Sequence, residues 1–123
     1  MFGVKEIDAS GLKEMLDNAE KDGKNIKLFD VRSQAEFAQG FIEGGECMPL
    51  HTLPLKMNEM NADDVNVFYC RSGARSGQAC MYLSQNNGVE GINLRGGIIS
   101  WYQAGYDIIR PEDSKYGDNS LSD

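Results

Sequence analysis

The segment from Cys70 to Ser76 reads Cys-Arg-Ser-Gly-Ala-Arg-Ser and places a potential nucleophile beside cations and hydroxyls. It follows the apolar run Val65–Tyr69, which predicts a buried strand, and it precedes residues 77–83, which predict a helix. Free backbone N–H groups and the positive end of the helix dipole converge at such a point. Both stabilise the thiolate, the reactive form of cysteine. The spacing therefore predicts an anionic sulfur nucleophile in an anion-binding loop.

A cysteine at the end of a strand is more often a small buried hydrophobic residue with no chemical role. Here the residues after Cys70 include two arginines, two serines and two glycines, a composition that suits an anion-binding loop better than a core. We therefore expect Cys70 to lie in an exposed loop and to act as the catalytic residue. The residues that we expect to bind the substrate are Arg71, Ser72, Gly73, Ala74, Arg75 and Ser76.

The composition of the 123-residue chain excludes several classes of protein. The net charge is -7 and no basic cluster is visible, so we expect no nucleic-acid partner. No segment approaches the roughly 18 apolar residues of a membrane span, and the N-terminus lacks a signal-peptide pattern. Three cysteines without a disulfide-framework spacing favour a reduced, cytoplasmic protein. Because His51 is the single histidine, we expect no metal site, and we expect no cofactor.

Segments that predict strands alternate along the chain with segments that predict helices. The predicted strands cover residues 4–7, 26–31, 46–48, 65–69 and 89–93. The predicted helices begin after Asp8 and Ser33, at Leu55 and Ser76, and at the pair Gly96-Gly97. This order predicts an α/β fold with a largely parallel sheet covered on both faces. Residues 1–110 would form the domain, and the acidic, polar residues 111–123 would form a disordered tail.

Three segments together resemble the signatures of the single-domain rhodanese (sulfurtransferase) family, in the family's order and spacing. The first holds Asp30-Val31-Arg32, Glu36-Phe37, Gly40, Ile42, Gly44 and Pro49; the second is 70–76; the third is 93–98 with Trp101 and Gly105. The resemblance extends over about residues 4–110 and implies a central five-stranded parallel sheet. The chain departs from the family pattern at Phe41, Gly45 and Tyr106-Asp107, none of which touches the nucleophile.

The resemblance also implies an activity, that of a thiosulfate sulfurtransferase. Cys70 would attack a small anionic sulfur donor such as thiosulfate, release sulfite and become a persulfide. Cyanide in the test tube, or a thiol or protein acceptor in the cell, would then take the sulfur. The loop amides would hold the persulfide, and Arg71 and Arg75 would steer the donor. Ser76 would either donate its hydroxyl hydrogen to the sulfur or cap the next helix.

Two other functions share this loop. Phosphatases and arsenate reductases of the Cys-x5-Arg type also hold a thiolate in a ring of amides, but they need arginine six residues after the cysteine, where this chain has Ser76. A persulfide carrier or redox sensor would use the same Cys70 without turnover. The sequence favours the enzyme over the phosphatase, which stays an alternative, and does not separate the enzyme from the carrier.

Several residues outside the loop also carry expectations. Cys80, on the helix after the loop, is expected in the core, although a resolving thiol is an alternative. Asp30 and Arg32, at the end of a predicted strand, are expected to have a structural role, either as an ion pair or as a cap that positions the next loop. Trp101 and Tyr102 lie in an apolar helix and are expected in the core, although a place in the wall of the pocket is an alternative for one of them.

Overall fold

A five-stranded sheet forms the centre of the computed structural model, which describes residues 3–111. Its strands are β1 (Lys5–Ile7), β2 (Ile26–Asp30), β3 (Gly45–Cys47), β4 (Val65–Tyr69) and β5 (Gly91–Leu94). Across the sheet they lie in the order β1-β5-β4-β2-β3, and every neighbouring pair is parallel. The predicted α/β class and parallel sheet are confirmed.

Five helices connect these strands. They are α1 (Ala9–Asp17), α2 (Gln34–Ala38), α3 (Leu53–Lys56), α4 (Ala74–Asn86) and α5 (Gly97–Gln103), with single 3-10 turns at Leu50–Thr52 and Met57–Glu59. Two predicted helix starts are confirmed in detail. The Asp8 carboxylate accepts a hydrogen bond from the Gly11 amide at 2.8 Å, and Ser33 forms a capping box with Glu36. The helix predicted from Ser76 begins two residues earlier, at Ala74.

Each face of the sheet packs against its own helices, because successive side chains of a strand point to opposite sides. Helices α1 and α5 cover one face, where the buried residues include Leu12, Leu28, Val67, Ile92, Leu94 and Trp101. Helix α4 and the 50–59 segment cover the other, where they include Phe29, Val31, Leu53, Phe68, Cys70, Ala79 and Leu83. Cys70 thus belongs to the α4 side of the sheet.

Helix α5 corrects one sequence expectation. Trp101 is buried as predicted, and its indole N–H donates to the carbonyl oxygen of Asp107 at 2.9 Å. Tyr102 is 69% exposed, so its prediction as a core residue is wrong. Neighbouring residues of a helix point about 100° apart, so only one side of this short helix meets the sheet.

The direction of the chain across the sheet reverses next to β4. From β2 the chain moves outward to β3, whereas from β4 it moves the opposite way to β5. In parallel α/β sheets such a reversal opens a crevice at the carboxyl ends of the two central strands, here β2 and β4. Both Cys70 and the end of β2 at Asp30 lie at this crevice.

The predicted domain boundary at residue 110 remains a prediction. The proposed tail falls, apart from Pro111, on residues 112–123, which lie outside the described residues. Within the described part of the chain, no helix has both the length and the apolar character needed to cross a membrane.

Candidate active site

The sulfur of Cys70 lies at the centre of the loop that joins β4 to α4. Its Sγ atom accepts hydrogen bonds from the backbone N–H groups of Gly73, at 3.1 Å, and Ser76, at 3.5 Å. The Ser76 Oγ atom lies 3.4 Å from the same sulfur. Gly73 precedes the first residue of α4 and has a φ of 108°, a left-handed conformation that allows the loop to curl around the sulfur.

The expectation that Cys70 is exposed is wrong, since only 1% of the residue is accessible. Arg71, Ser72 and Ala74 are exposed and form the outside of the loop, while the sulfur faces its amide-lined centre. The polar composition of the loop therefore describes its outer surface. The inner side is supplied by backbone N–H groups, which the position between a strand and a helix predicted, and by the Ser76 hydroxyl.

The pKa of the Cys70 thiol is lowered. Burial acts to raise it, but hydrogen bonds from Ser76 and from the amides of Gly73 and Ser72 outweigh burial. Cys80 shows the opposite effect: burial raises its pKa to about 12, and only 2% of the residue is exposed. The expectation that Cys80 is a core residue is confirmed, and Cys70 is the more acidic of these two buried thiols.

The first turn of α5 is hydrogen-bonded to the start of the loop. The amides of Ile98 and Ile99 donate to the carbonyl oxygens of Cys70, at 2.9 Å, and Arg71, at 3.2 Å. Gly97 lies so close that a Cβ atom there would overlap both carbonyl groups, and its φ is 63°. Sequence reasoning placed a helix start at the glycine pair but missed this contact, because backbone acceptors leave no trace in the sequence.

Arg75 is already engaged in an ion pair. Its guanidinium makes two hydrogen bonds with the carboxylate of Glu36, at 2.7 and 3.0 Å. The Arg75 hydrogen bonds hold the pKa of Glu36 down at about 2, so the carboxylate is charged at neutral pH. The charge of Arg75 is therefore largely neutralised, whereas Arg71 is exposed. Sequence reasoning did not assign Glu36 to the site, although it is part of the first signature.

The buried ion pair at the end of β2 is confirmed. The Asp30 carboxylate accepts from Arg32 at 2.6 to 3.1 Å, and Arg32 also donates to the carbonyl oxygen of Gly40 at 2.6 Å. Asp30 is fully buried, and 7% of Arg32 is exposed. Both charges are therefore satisfied within the protein. Through the hydrogen bond of Arg32, the pair also links the end of β2 to Gly40.

Asn93 is, with Glu36, a residue of this site that sequence reasoning missed. Its Oδ1 lies 2.5 Å from Ser76 Oγ, and its Nδ2 donates to the carbonyl oxygen of Gly73 at 3.2 Å. It therefore holds the loop at two points. Its polar side chain within the buried strand β5 was the available signal. Ser76 does not cap α4, since Gly73 occupies that position, and its hydroxyl points into the site.

A cleft of about 660 Å³ opens beside the loop. Its lining includes Val31, Pro49, Leu50, His51, Thr52 and Arg75. This volume suits a small molecule. Among residues 3–111, no group of three or more His, Cys, Asp or Glu side chains is arranged to hold a metal ion.

Comparisons with known proteins agree on one family. A sequence profile of the rhodanese-like domain matches residues 8–104. A sulfurtransferase from Allochromatium vinosum is 45% identical over 109 residues, which cover 89% of this chain and 98% of that protein. A putative sulfurtransferase from Bacillus subtilis is 36% identical over 98 residues, 80% of this chain and 90% of that protein. The crystal structure of a rhodanese-like domain protein from Staphylococcus aureus matches with a TM-score of 0.70 and 31% identity, covering 80% of this chain and 91% of that one.

Proposed function

The chain belongs to the rhodanese-like domain family, and we propose that it is a sulfurtransferase in which Cys70 carries the transferred sulfur as a persulfide. The observation that carries this proposal is the position of Cys70 Sγ among the loop amides, with a lowered thiol pKa. Such amides stabilise a sulfur anion without any metal or cofactor.

In the first step, the Cys70 thiolate attacks the outer sulfur of a donor such as thiosulfate. The sulfur–sulfur bond of the donor breaks, sulfite leaves with the electron pair, and Cys70 becomes a persulfide. In the second step a nucleophile, cyanide or a thiol, attacks the outer sulfur of the persulfide, and Cys70 leaves as the thiolate. Neither step needs a general base once the thiolate is present.

The residues of the loop have separate parts in this proposal. The amides of Ser72, Gly73 and Ser76 hold the negative charge on sulfur through both steps. Arg71, which is exposed, attracts an anionic donor to the mouth of the loop. Arg75 contributes to the same attraction only to the extent that Glu36 leaves its charge uncompensated.

The acceptor is a thiol, either of a small molecule or of a protein. The cleft beside Arg75 supports this choice, because Val31, Pro49 and Leu50 give it apolar walls that suit an organic thiol. Thiosulfate and cyanide are then convenient substrates for measuring transfer. A cytoplasmic location, in which thiols remain reduced, is part of the same proposal.

Intact-protein mass spectrometry after thiosulfate treatment tests the proposal. We expect a gain of one sulfur, about 32 Da, on the unaltered chain and on a Cys47→Ser control, but not on Cys70→Ser. Thiocyanate release on addition of cyanide then separates an enzyme from a carrier. No gain of mass, or a gain that survives in Cys70→Ser, contradicts the proposal, and phosphatase and arsenate reductase assays follow in that case.

A further inference from the structure

A row of polar side chains runs behind the nucleophile. Glu6 of β1 and Asn93 of β5 are paired in the sheet register and joined by a hydrogen bond. Asn93 in turn contacts Ser76 of α4, and Ser76 contacts Cys70. Ser76 is fully buried, Asn93 is 3% exposed and Cys70 is 1% exposed. Because buried polar groups need partners, the orientation of each group in this row depends on its neighbours.

The contacts of Asn93 determine which way its amide points. Nδ2 lies 3.0 Å from Oε2 of Glu6 and 3.2 Å from the carbonyl oxygen of Gly73, and a carboxylate or a carbonyl can only accept. The donor end of the amide therefore faces these two groups, and Oδ1 faces Ser76. At 2.5 Å from that oxygen, the Ser76 hydroxyl must donate its hydrogen to it.

That hydrogen has two competing acceptors. The Ser76 hydroxyl has a single hydrogen, and Cys70 Sγ, at 3.4 Å, is the more distant acceptor. While the hydrogen points at Asn93, a lone pair of Ser76 Oγ faces the sulfur and favours a thiol that donates to it. If the hydrogen turned to a sulfur anion, Oδ1 of Asn93 would be buried without a partner, which is costly.

We propose that Asn93 is a positioning residue that competes with Cys70 for the Ser76 hydroxyl hydrogen, and so weakens the hydrogen bond from that hydroxyl to the sulfur anion. Several charged groups are related to this row by the chain or by their interactions. Arg71 follows Cys70 in the chain, and Glu6 contacts Asn93. Arg75 interacts electrostatically with Cys70 and is paired with Glu36, and Asp30, which interacts with Arg75, is paired with Arg32. Substitution of Asn93 or Ser76 changes none of these charges.

The arrangement has a consequence for catalysis, which rests on Cys70 being the nucleophile proposed above. A thiolate with a lower pKa is more abundant but intrinsically less nucleophilic, and the best attacking thiol has a pKa near ambient pH. A hydroxyl donated to the sulfur would add to the stabilisation by the amides and lower the pKa further. By competing for that hydrogen, Asn93 preserves the reactivity of the anion.

The test follows the rate of reaction of Cys70 with the uncharged disulfide 4,4′-dithiodipyridine as a function of pH. Asn93→Leu, Ser76→Ala and the double variant are compared with the unaltered chain, and the rate of Cys70→Ser is subtracted to remove Cys47 and Cys80. We expect Asn93→Leu to lower the midpoint of the pH–rate curve, which reports the pKa of Cys70, by about one pH unit. The limiting rate at high pH should fall about threefold, because nucleophilicity declines with pKa.

The double-mutant cycle is the decisive comparison. Ser76→Ala should raise the midpoint by about one unit more in the Asn93→Leu background than in the unaltered chain, because only there does the hydroxyl donate to sulfur without competition from Asn93. Equal effects in both backgrounds overturn the proposal. So does a rise of more than about one unit on Ser76→Ala with Asn93 in place.

Two further variants keep the result interpretable. Glu6→Gln removes a charge but leaves an oxygen that accepts from Asn93, so the limiting rate should not change; a threefold fall there would mean that charge, not orientation, sets reactivity. Asn93→Ser, too short to reach Ser76, replaces Asn93→Leu if that variant fails to fold. The reaction needs no sulfur donor, so a positive cycle with no gain of mass from thiosulfate would refute the proposed function while leaving this inference in place.

Discussion

The guanidinium of Arg75 donates two hydrogen bonds, of 2.7 and 3.0 Å, to the carboxylate of Glu36, which lies 39 residues earlier in the chain. This ion pair joins the first turn of α4 to α2, and so joins the loop around Cys70 to the segment that follows β2. It also cancels most of a positive charge at the mouth of the loop. Substitution of either Arg75 or Glu36 should therefore change the affinity of the site for an anionic donor.

Removal of the carboxylate should strengthen the attraction for anions. We expect Glu36→Gln to lower the apparent KM for thiosulfate severalfold, because Arg75 then keeps its full charge. The gain should shrink as salt is added, since exposed charges are screened. Steady-state kinetics at low and high ionic strength check this, and an unchanged KM at low salt would contradict it.

Removal of the cation should have the opposite effect. Arg75→Ala leaves the Glu36 carboxylate uncompensated beside the donor, so the apparent KM for thiosulfate should rise severalfold. The melting temperature should change little, because half-exposed ion pairs contribute only about 0–1 kcal/mol. The double variant with Glu36→Gln should recover part of the affinity. If KM stays constant, Arg75 does not steer the donor.

The same ion pair predicts how stability depends on pH. The pKa of Glu36 is about 2 in the folded protein, below the ordinary value of 4.5, so folding favours the ionised form. Its stabilising effect is complete above pH 4.5 and is lost as the pH falls from 4.5 towards 2. We expect the difference in melting temperature between the unaltered chain and Glu36→Gln to shrink over that window. A difference that is constant from neutral pH to pH 3 would count against this assignment.

Gly97 should tolerate no side chain. A Cβ atom would overlap the carbonyl groups of Cys70 and Arg71 in addition to straining a positive φ. Gly97→Ala should therefore displace the loop, abolish sulfur transfer and cost well over the ~1–2 kcal/mol of left-handed strain alone. Gly105→Ala is the matched control, since its φ is 87° and nothing lies within 4 Å of its Cβ position. Denaturant unfolding compares the two, and equal losses would refute the steric argument.

The buried ion pair of β2 should be costly to break. Asp30→Asn leaves the guanidinium of Arg32 buried without its charged partner, and we expect a loss of roughly 3–5 kcal/mol in the free energy of unfolding. Asp17→Asn breaks an exposed pair with Lys13 and should cost less than about 1 kcal/mol. Urea unfolding of both variants checks the contrast. Comparable losses would mean that the Asp30 pair is not isolated from solvent in solution.

Local sequence predicted much of this molecule. Helix starts at Asp8 and Ser33 could be recognised because a cap satisfies amides only two or three residues away. The alternation of strands and helices could likewise be predicted, because strands and helices have different hydrophobic periods. Cys70 was found as a candidate nucleophile because the strand, the loop and the helix around it are consecutive in the chain.

Contacts between distant segments could not be predicted in this way. Four features of the site depend on which strands are neighbours. They are the burial of Cys70, the Glu36–Arg75 pair, the hydrogen bonds of Asn93 and the hydrogen bonds from the amides of Ile98 and Ile99. Parallel strands are joined by crossovers, so residues that meet at the crevice are tens of positions apart and no local pattern links them. The sequence alone identified the candidate nucleophile and the type of fold. The packing of β4 between β2 and β5 determined what surrounds the sulfur, because only tertiary structure brings those partners within hydrogen-bonding distance.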